Sequence, residues 1–322
     1  MRKGEPVLPT MDDILSAYER ICPYIHRTPL MSSKFLSDAA GADILFKCEN
    51  FQKAGAFKTR GALNAVLGLD RSAASNGIAT HSSGNHGLAL AYAASLRKIP
   101  CHVVMPRDAT AAKRHAAEGY GAEIIECGPS ASEREKCLDM VLAKTKAEFV
   151  HPFNDARVIA GQGTCGLELF NQAAGLDAVV APIGGGGLVS GTCVAFSELA
   201  PCVEIYAAEP KNADDAFRSF RAGRIVADHS PRTIADGLRV PIKELTWRII
   251  KAKLSDVLTV SEESIVDSMK IIWQRLKIVV EPSSAVALAA VLAHTELFRN
   301  KRVGIIITGG NVDLDFLPWK DG

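Results

Sequence analysis

Short apolar runs alternate with amphipathic stretches along most of the chain. In the first half, strand-like runs lie at 43–47, 78–80, 102–105 and 122–125, and helix-like stretches lie at 14–21, 88–96, 110–117 and 132–146. In the second half, strand-like runs follow at 178–181, 203–207 and 303–307, with helical stretches between them. Because buried strands that alternate with helices form parallel sheets covered on both faces, this pattern predicts an α/β fold with parallel-rich sheets.

The same pattern predicts two lobes. Residues 77–150 contain a compact run of alternating strands and helices, which we interpret as a small, mobile domain. Residues 1–76 and 151–322 would together form a large domain, and 322 residues are enough for both. No low-complexity linker separates the two parts, so we expect the chain to cross between them in short segments.

Composition and charge exclude several classes of protein. A formal net charge of +1 gives no electrostatic basis for binding nucleic acid or an anionic membrane. The eight cysteines include no C-x-x-C pair, which argues against a disulfide framework or a zinc ribbon and for a reducing compartment. The first residues, 1–13, lack the apolar segment of a signal peptide, and no apolar run reaches membrane-spanning length. We therefore expect a cytoplasmic protein.

Lys58 is the first candidate for chemistry. It lies in the segment Gly55–Gly61 (GAFKTRG), between a glycine-containing turn and a helix-like stretch. A lysine held there with its amine directed inward loses its proton more easily and becomes a nucleophile or a base. Pyridoxal 5′-phosphate, PLP, uses such a lysine as its Schiff-base partner. The ordinary alternative is a surface lysine at the start of a helix.

Three polar or glycine-rich loops follow predicted strands. Ser82–Gly87 (SSGNHG) follows the strand at 78–80, Gly184–Gly187 (GGGG) follows the strand at 178–181, and Thr308–Asn311 (TGGN) follows the last strand. In open α/β sheets, ligands bind at the carboxyl ends of the strands. The sequence therefore predicts that these loops contribute to one binding cleft, although each of them can also be an ordinary turn.

The residue types in these loops indicate what they bind. Small residues in Ser82–Gly87 allow backbone N–H groups to reach a carboxylate at a helix N-terminus. The glycines of Gly184–Gly187 allow N–H groups to surround a phosphate. Because this loop has neither the lysine of a P-loop nor the G-x-G-x-x-G spacing, it indicates a single phosphate and not a nucleotide. The hydroxyl of Thr308 is suited to face a buried ring nitrogen.

Taken together, these segments resemble the fold type II PLP enzymes. Within them the chain is similar to the serine/threonine dehydratase and serine racemase branch, including 3-hydroxyaspartate dehydratase-like members. The resemblance runs from about Thr10 to Asp313, with the four motifs in the family's order. It implies a two-lobed α/β protein similar to the tryptophan synthase β fold, usually a homodimer. PLP would lie in the cleft, bound mainly by the large domain.

The resemblance also implies roles for single residues. The cofactor-binding set is Phe57, Lys58, Asn85, Gly184, Gly185, Gly186, Gly187 and Thr308. Lys58 would form the Schiff base, Asn85 would bond to the ring oxygen O3′, and Thr308 would face the pyridine nitrogen. The glycines would hold the phosphate, and Phe57 would pack beside the ring.

The implied reaction is β-elimination of water from a 3-hydroxy-α-amino acid, giving a 2-oxo acid and ammonia. Candidate substrates are 3-hydroxyaspartate, threonine, serine and phenylserine, and the alternative activity is a serine or aspartate racemase. Lys58 would take the Cα proton, and Ser83 would act on the opposite face of Cα. The substrate-binding set is Ser82, Ser83, Asn85, His86 and Arg134.

Departures from the family pattern bear on the substrate. Ala56 stands where the family commonly has serine, and Val240 and Pro241 follow the Ala-Asp-Gly segment where serine racemases have serine. Both changes make the site less polar and argue against serine. Arginine binds a carboxylate through two parallel hydrogen bonds, so Arg134 suits the second carboxylate of 3-hydroxyaspartate. The alternatives are a solvated helix face for Arg134 and an apolar wall, formed by Val240 and Pro241, for phenylserine.

The segment Glu209–Asp215 is a candidate metal site. Two carboxylates and a carbonyl supply the oxygen ligands that hard cations prefer, although acidic residues that cap the following helix are the ordinary alternative. The segment matches the family's divalent site. The resemblance therefore implies Glu209, the carbonyl of Ala213 and Asp215 as ligands to Mg²⁺, or to Ca²⁺ or Mn²⁺.

Two other classes stay open at this point. A β-replacement PLP enzyme such as a cysteine synthase would usually have Thr-Ser-Gly-Asn-Thr-Gly where this chain has Ser82–Gly87 (SSGNHG). Ammonia release without added thiol would separate that class from a dehydratase. A catalytically silent PLP carrier would need only Lys58 and the phosphate loop, and no amino acid would then change the spectrum of its cofactor.

Overall fold

The computed structural model describes residues 7–82, 84–107, 111–128, 130–226 and 230–319, with backbone alone at 111–113 and 131. The strands are β1 Leu30–Ser32, β2 Asp43–Cys48, β3 Ile78–His81, β4 Cys101–Pro106, β5 Glu123–Cys127, β6 Glu148–Phe149, β7 Ala178–Pro182, β8 Glu204–Pro210, β9 Asp256–Val260 and β10 Arg302–Ile307. The helices are α1 Met11–Ile21, α2 Lys34–Ala40, α3 Lys58–Leu67, α4 Arg71–Ser75, α5 Asn85–Arg97, α6 Ala111–Glu118, α7 Ala131–Thr145, α8 Ala156–Gln172, α9 Gly187–Leu199, α10 Asp215–Ala222, α11 Glu244–Lys253, α12 Glu262–Leu276, α13 Pro282–Ala293 and α14 Thr295–Phe298.

The larger sheet has the strand order β1-β2-β10-β7-β8-β9, and only β1 runs antiparallel to its neighbour. Successive residues of its central strands are buried on opposite faces. Val180 and Ile305 pack with α12 and α13, whereas Val179 and Ile306 pack with α8, α9 and α11. Burial on both faces explains why these strands are almost uninterrupted apolar runs in the sequence.

The smaller sheet has the order β5-β4-β3-β6, with every pairing parallel. Ile78 and Val103 pack with α5 on one face, and Ala79 and Val104 pack with α7 on the other. The predicted α/β fold with parallel-rich sheets is therefore confirmed. The division into domains at residues 77 and 150 stays a prediction, although the strands of the smaller sheet all lie between Ile78 and Phe149.

The strands and helices assigned from the sequence are present, with ends that differ by at most three residues. Three strands were missed. Strands β1 and β6 have only three and two residues, too short to show a periodic pattern. Strand β9 has polar residues at two of its five positions, and it pairs with β8 at the edge of the larger sheet. None of the described helices combines the length and the apolar character that a membrane span requires.

Candidate active site

A cavity of about 510 Å³ opens at the carboxyl ends of strands from both sheets. His81 reaches it from the end of β3, Gly184 from the loop after β7, and Thr308 from the loop after β10. Lys58, at the start of α3, lines the same cavity. The structure thus brings the four sequence motifs to a single cleft, at the position where parallel α/β sheets bind ligands.

The amine of Lys58 points into the cavity. Its Nζ donates a hydrogen bond to the carbonyl oxygen of Pro152 at 3.0 Å and lies 5.1 Å from the centre of the Phe57 ring. Burial lowers the pKa of Lys58 to about 8, and the negative charge of Glu281 opposes that shift. Because the amine loses its proton more easily than an exposed lysine does, Lys58 suits the role of nucleophile or base.

A buried ion network fixes the start of α3. Arg60 is fully buried and donates to both carboxylate oxygens of Glu49, at 2.7 and 2.8 Å, and to both of Glu168, at 3.0 and 2.9 Å. Lys47 completes the network with a 2.6 Å contact to Glu168. Two cations and two anions balance, so no buried charge is left uncompensated. The first turn of α3, and Lys58 with it, is thereby tied to α8 and to the chain after β2.

The glycine loop is shaped as an anion site. Gly186 has a φ of 84° and is the N-cap of α9, which starts at Gly187 without an acidic residue in its first turn. A Cβ atom at Gly185 would overlap the ring of Phe153, and one at Gly186 would lie 2.8 Å from Ile250. The first N–H groups of a helix have no partner within the helix. They can therefore bind a phosphate, as the sequence predicts.

Asn85 lines the cavity and connects a carboxylate, Glu281, to a second side-chain amide, Asn311. Its Nδ2 donates to Glu281, and its Oδ1 accepts from Asn311 Nδ2 at 2.9 Å. Thr308 Oγ1 lies 2.9 Å from Ser284 Oγ, so two neutral hydroxyls stand together at the end of β10. Sequence reasoning missed Glu281 and Ser284, and it gave no separate role to Asn311 within the loop Thr308–Asn311. The available signal for Glu281 and Ser284 was the dipeptide Glu281-Pro282, because a proline often occupies the first position of a helix.

Hydrogen bonds between its own residues shape the loop 82–87. Ser82 Oγ accepts from the N–H groups of Gly84 at 3.2 Å and Gly87 at 3.1 Å, so its hydroxyl shapes the loop. His86 is buried, and its Nε2 lies 3.1 Å from the carbonyl oxygen of Val150. Ser82, Asn85 and His86 all line the cavity. Ser83, the expected face-specific acid or base, lies outside the described residues.

His151 is a further residue that sequence reasoning missed. Its Nδ1 accepts from the N–H groups of Phe153 at 3.3 Å and Asn154 at 2.9 Å. Burial is the main cause that lowers the pKa of His151 to about 3, so the ring is neutral and its proton is on Nε2. The signal would have been a polar residue two positions after the end of a strand, but β6 was itself not recognised.

Arg134 lines the cavity and is half-buried. Its Nε is buried and has no hydrogen-bond partner within the described part of the chain. A solvated helix face would leave the whole guanidinium in water, so this position favours the alternative in which Arg134 faces a ligand. Val240 and Pro241 also line the cavity.

The two departures from the family pattern differ in their position. Val240 and Pro241 do contribute apolar surface to the cavity. Ala56 is buried, pairs with Gly309 in an isolated β-bridge and is not among the described lining residues. The expectation that Ala56 makes the site less polar therefore lacks a direct contact to support it.

The predicted metal ligands lie in a second place, away from the cavity. Glu209 and Asp215 are both buried, and Glu209 accepts hydrogen bonds from the N–H groups of Ala216 and Phe217 in α10. Burial, with the nearby Asp215 adding to it, raises the pKa of Glu209 to about 9. Two buried carboxylates in such a place suit a cation. The described residues hold no group of three or more His, Cys, Asp or Glu side chains placed for a metal, so carbonyl oxygens would have to contribute.

Comparison with known proteins identifies the family. The family described as "Pyridoxal-phosphate dependent enzyme" matches residues 21–309. The chain belongs to this family. It is 59% identical over 313 residues to the β-hydroxyaspartate dehydratase of Paracoccus denitrificans (strain Pd 1222), a match that covers 97% of this chain and 99% of that protein.

Solved structures agree with this assignment. The crystal structure of serine racemase from Dictyostelium discoideum superimposes with a TM-score of 0.91 at 46% identity, covering 95% of this chain and 99% of the other. The crystal structure of a T.th. threonine deaminase superimposes with a TM-score of 0.91 at 42% identity, with the same coverage. The predicted fold type II PLP enzyme is confirmed, and the comparisons support a dehydratase, with racemase as the alternative.

Proposed function

We propose that this PLP-dependent enzyme is a dehydratase that converts 3-hydroxyaspartate into oxaloacetate and ammonia. The observation that carries the substrate is Arg134, whose buried Nε lacks a partner among the described residues, in a cavity that also contains Lys58. Serine and threonine have a single carboxylate, which the loop 82–87 at the start of α5 is suited to bind. An additional guanidinium suits a second carboxylate. The similarity to the Paracoccus enzyme supports the same substrate.

The residues present fit PLP. The N-terminus of α9 and its glycines would hold the phosphate, and Lys58 would bind the cofactor covalently. Asn85, itself held by Glu281, would bond to the ring oxygen, and Thr308 would face the ring nitrogen. When bound, PLP supplies an electron sink that stabilises the negative charge developing at Cα.

The chain's own residues would move the protons. Lys58, with its pKa lowered by burial to about 8, would take the proton from Cα of the bound substrate. Thr308 and Ser284 are neutral hydroxyls, so they would offer the ring nitrogen a hydrogen bond without the charge of a carboxylate. The Cβ–oxygen bond would then break, and the hydroxyl would leave as water with a proton that reaches it from Lys58 through solvent, which restores the neutral amine. The released enamine takes up water and yields the 2-oxo acid and ammonia.

The test is a substrate panel. Each stereoisomer of 3-hydroxyaspartate, serine, threonine, phenylserine and aspartate is incubated with the purified holoenzyme. Ammonia, 2-oxo acid and the chirality of the remaining substrate are then measured. We expect one isomer of 3-hydroxyaspartate to give the highest kcat/KM, with Lys58→Ala inactive. A clear preference for phenylserine would favour the apolar wall of Val240 and Pro241. Inversion of serine or aspartate without ammonia release would favour the racemase.

We further propose a divalent cation, Mg²⁺ or else Ca²⁺ or Mn²⁺, held by Glu209, Asp215 and the carbonyl of Ala213. The support is the burial of both carboxylates at the start of α10. These residues are not among those that line the cavity, so a bound cation would serve to hold the loop between β8 and α10 in place. Metal analysis of the purified protein and the response of its melting temperature to chelation test this site.

We also propose that the enzyme is a homodimer and that it is cytoplasmic. Phe51 and Val279 are large apolar residues that stay 44% and 46% exposed. They lie near each other, because Asn50 Nδ2 donates to the carbonyl oxygen of Val279 at 3.2 Å. An exposed apolar surface of this kind suits an interface with a second copy. Light scattering of the purified protein tests the dimer, and fractionation of cells tests the compartment.

A further inference from the structure

Besides Lys58, three positively charged side chains line the cavity, Arg134, Arg239 and Lys243. Arg239 donates two hydrogen bonds to the carbonyl oxygen of Thr233, whereas Arg134 and Lys243 reach the cavity from opposite sides. Arg134 is carried by α7, which packs on the smaller sheet. Lys243 directly precedes α11, which packs with α9 beside the larger sheet. In the described part of the chain, neither side chain forms an ion pair. The cleft is therefore bordered by a cation on each side.

Two imidazole rings mark the place where these charges act together. His81 and His151 both line the cavity, with their ring centres 6.4 Å apart. Burial is the main cause that lowers the pKa of each ring, and the charge of Lys243 adds to the shift at both. Arg134 adds to it at His81, and the exposed carboxylate of Glu135 opposes it there. The charge of Lys243 thus acts on both rings, and the charge of Arg134 acts on His81.

Two donors in this region lack acceptors. The Nδ1 of His151 accepts from two backbone N–H groups, so the proton of the neutral ring is on Nε2. This Nε2–H is buried without a partner among the described residues, as is the Nε of Arg134. A buried donor without an acceptor is costly, and a ligand oxygen would remove that cost. The chemistry of the region calls for an anion with several acceptor positions, which a carboxylate provides.

We propose that Lys243, Arg134 and the Nε2–H of His151 form one subsite for a distal carboxylate, and that Lys243 determines the preference for dicarboxylic substrates. This inference rests on the proposed function and goes beyond it, because it assigns a second cation on the other side of the cleft. The distal carboxylate of 3-hydroxyaspartate would bridge the two sides. Serine and threonine, which lack that group, would leave both cations unused.

The cofactor phosphate is the alternative binding partner of Lys243. The helix that Lys243 precedes also contacts the glycine loop, since a Cβ at Gly186 would meet Thr246 and Ile250. A lysine that serves the phosphate would strengthen cofactor binding and would favour all substrates equally. A lysine that serves the distal carboxylate would favour dicarboxylates alone. The two roles therefore predict different results for the same variant.

The experiment compares Lys243→Gln with Lys253→Gln in the holoenzyme. Lys253 lies at the other end of α11, about 15 Å away at the helical rise per residue, so the control makes the same charge change outside the cavity. Three quantities are measured for each protein. The first is kcat/KM, determined for 3-hydroxyaspartate and for serine. The second is the inhibition constant, determined for succinate and for butyrate, and the third is the Kd of PLP.

We expect Lys243→Gln to raise the inhibition constant of succinate, and to lower kcat/KM for 3-hydroxyaspartate, by about ten-fold each. This is the lower end of the range for a charge-assisted hydrogen bond, which we choose because Lys243 is exposed. Serine turnover, butyrate inhibition and PLP affinity should stay as in the wild type, and Lys243→Arg should retain the dicarboxylate preference. The control should match the wild type throughout.

A uniform loss on all substrates with weaker PLP binding would assign Lys243 to the phosphate and overturn the inference. Unchanged constants for succinate and 3-hydroxyaspartate would overturn it as well. If the wild type releases no ammonia from 3-hydroxyaspartate, the proposed function fails. In that case the ratio of the succinate and butyrate inhibition constants alone decides whether the subsite exists.

Discussion

The side-chain amide of Asn85 donates to both carboxylate oxygens of Glu281, with Nδ2 lying 2.9 Å from Oε1 and 3.1 Å from Oε2. This contact joins the first turn of α5, beside the smaller sheet, to the start of α13, which covers the larger one. The same carboxylate acts on Lys58, because its charge raises the lysine pKa against the effect of burial. Glu281 therefore links the orientation of Asn85 to the protonation of Lys58.

Replacing Glu281 by Gln should lower the pKa of Lys58 below about 8, since the charge that opposes burial is lost. At neutral pH the variant apo-protein should then bind PLP covalently faster than the wild type, because a larger fraction of Lys58 is neutral. Stopped-flow absorbance across pH measures this rate. Glutamine keeps the size of the side chain, so an unchanged pH profile would mean that Glu281 does not control the lysine.

Lys58→Ala should abolish ammonia release from every substrate, because the variant loses the buried amine that would bind PLP and take the Cα proton. The purified variant should lack the visible absorbance of covalently bound PLP. Lys53→Ala, five residues earlier, is the control and should keep both properties. Substantial elimination activity in Lys58→Ala, measured by oxo acid formation, would refute the assignment of Lys58.

Gly185→Ala should weaken PLP binding, because the added Cβ would overlap the ring of Phe153 and displace the glycine loop. Overpacking of this kind costs about 1–3 kcal/mol, which corresponds to a roughly 5- to 150-fold higher Kd for PLP if the strain falls on the bound loop. Gly166→Ala, inside α8, provides the control, since its Cβ would meet no atom closer than 3.3 Å. Equal PLP affinity in both variants, measured by fluorescence titration, would remove the loop from the phosphate site.

Removal of divalent cations should lower the melting temperature of the wild type, because Glu209 and Asp215 would be left close together and buried. Glu209→Gln should abolish this response to chelator, since one of the two carboxylates is gone. The neighbouring Asp214 forms an ion pair with Arg218, and Asp214→Asn should therefore keep the response. Calorimetry with and without EDTA measures it, and a wild type indifferent to EDTA would reject the cation site.

The sequence was sufficient to predict the fold class and the single cleft, since buried parallel strands are near-continuous apolar runs and their loops carry the polar motifs. It was not sufficient for contacts made between distant segments. Glu281 and Asn85 are 196 residues apart, and nothing local marks their hydrogen bond. His151 was missed for another reason. Its Nε2 is a donor because its Nδ1 accepts hydrogen bonds from the backbone N–H groups of Phe153 and Asn154. Those contacts exist only in the folded protein.

Arg134→Ala should depress kcat/KM for 3-hydroxyaspartate far more than for serine or threonine. The guanidinium lines the cavity with its Nε buried and without a partner in the described structure, so it is available to a ligand. Truncating one partner of a buried, charge-assisted pair costs about 2–5 kcal/mol, which is roughly thirty-fold or more in kcat/KM.

Two variants sharpen this prediction. Arg134→Lys retains the charge but not the two parallel hydrogen bonds, so it should recover part of the loss and not all of it. Arg114, on α6, forms its ion pair with Glu126 and does not line the described cavity, so Arg114→Ala should leave the ratio of the two kcat/KM values unchanged. A loss on Arg134→Ala that is equal for 3-hydroxyaspartate, serine and threonine would show that Arg134 supports the shape of the cleft. The recognition of the distal carboxylate would then have to come from the opposite side, where Lys243 lies.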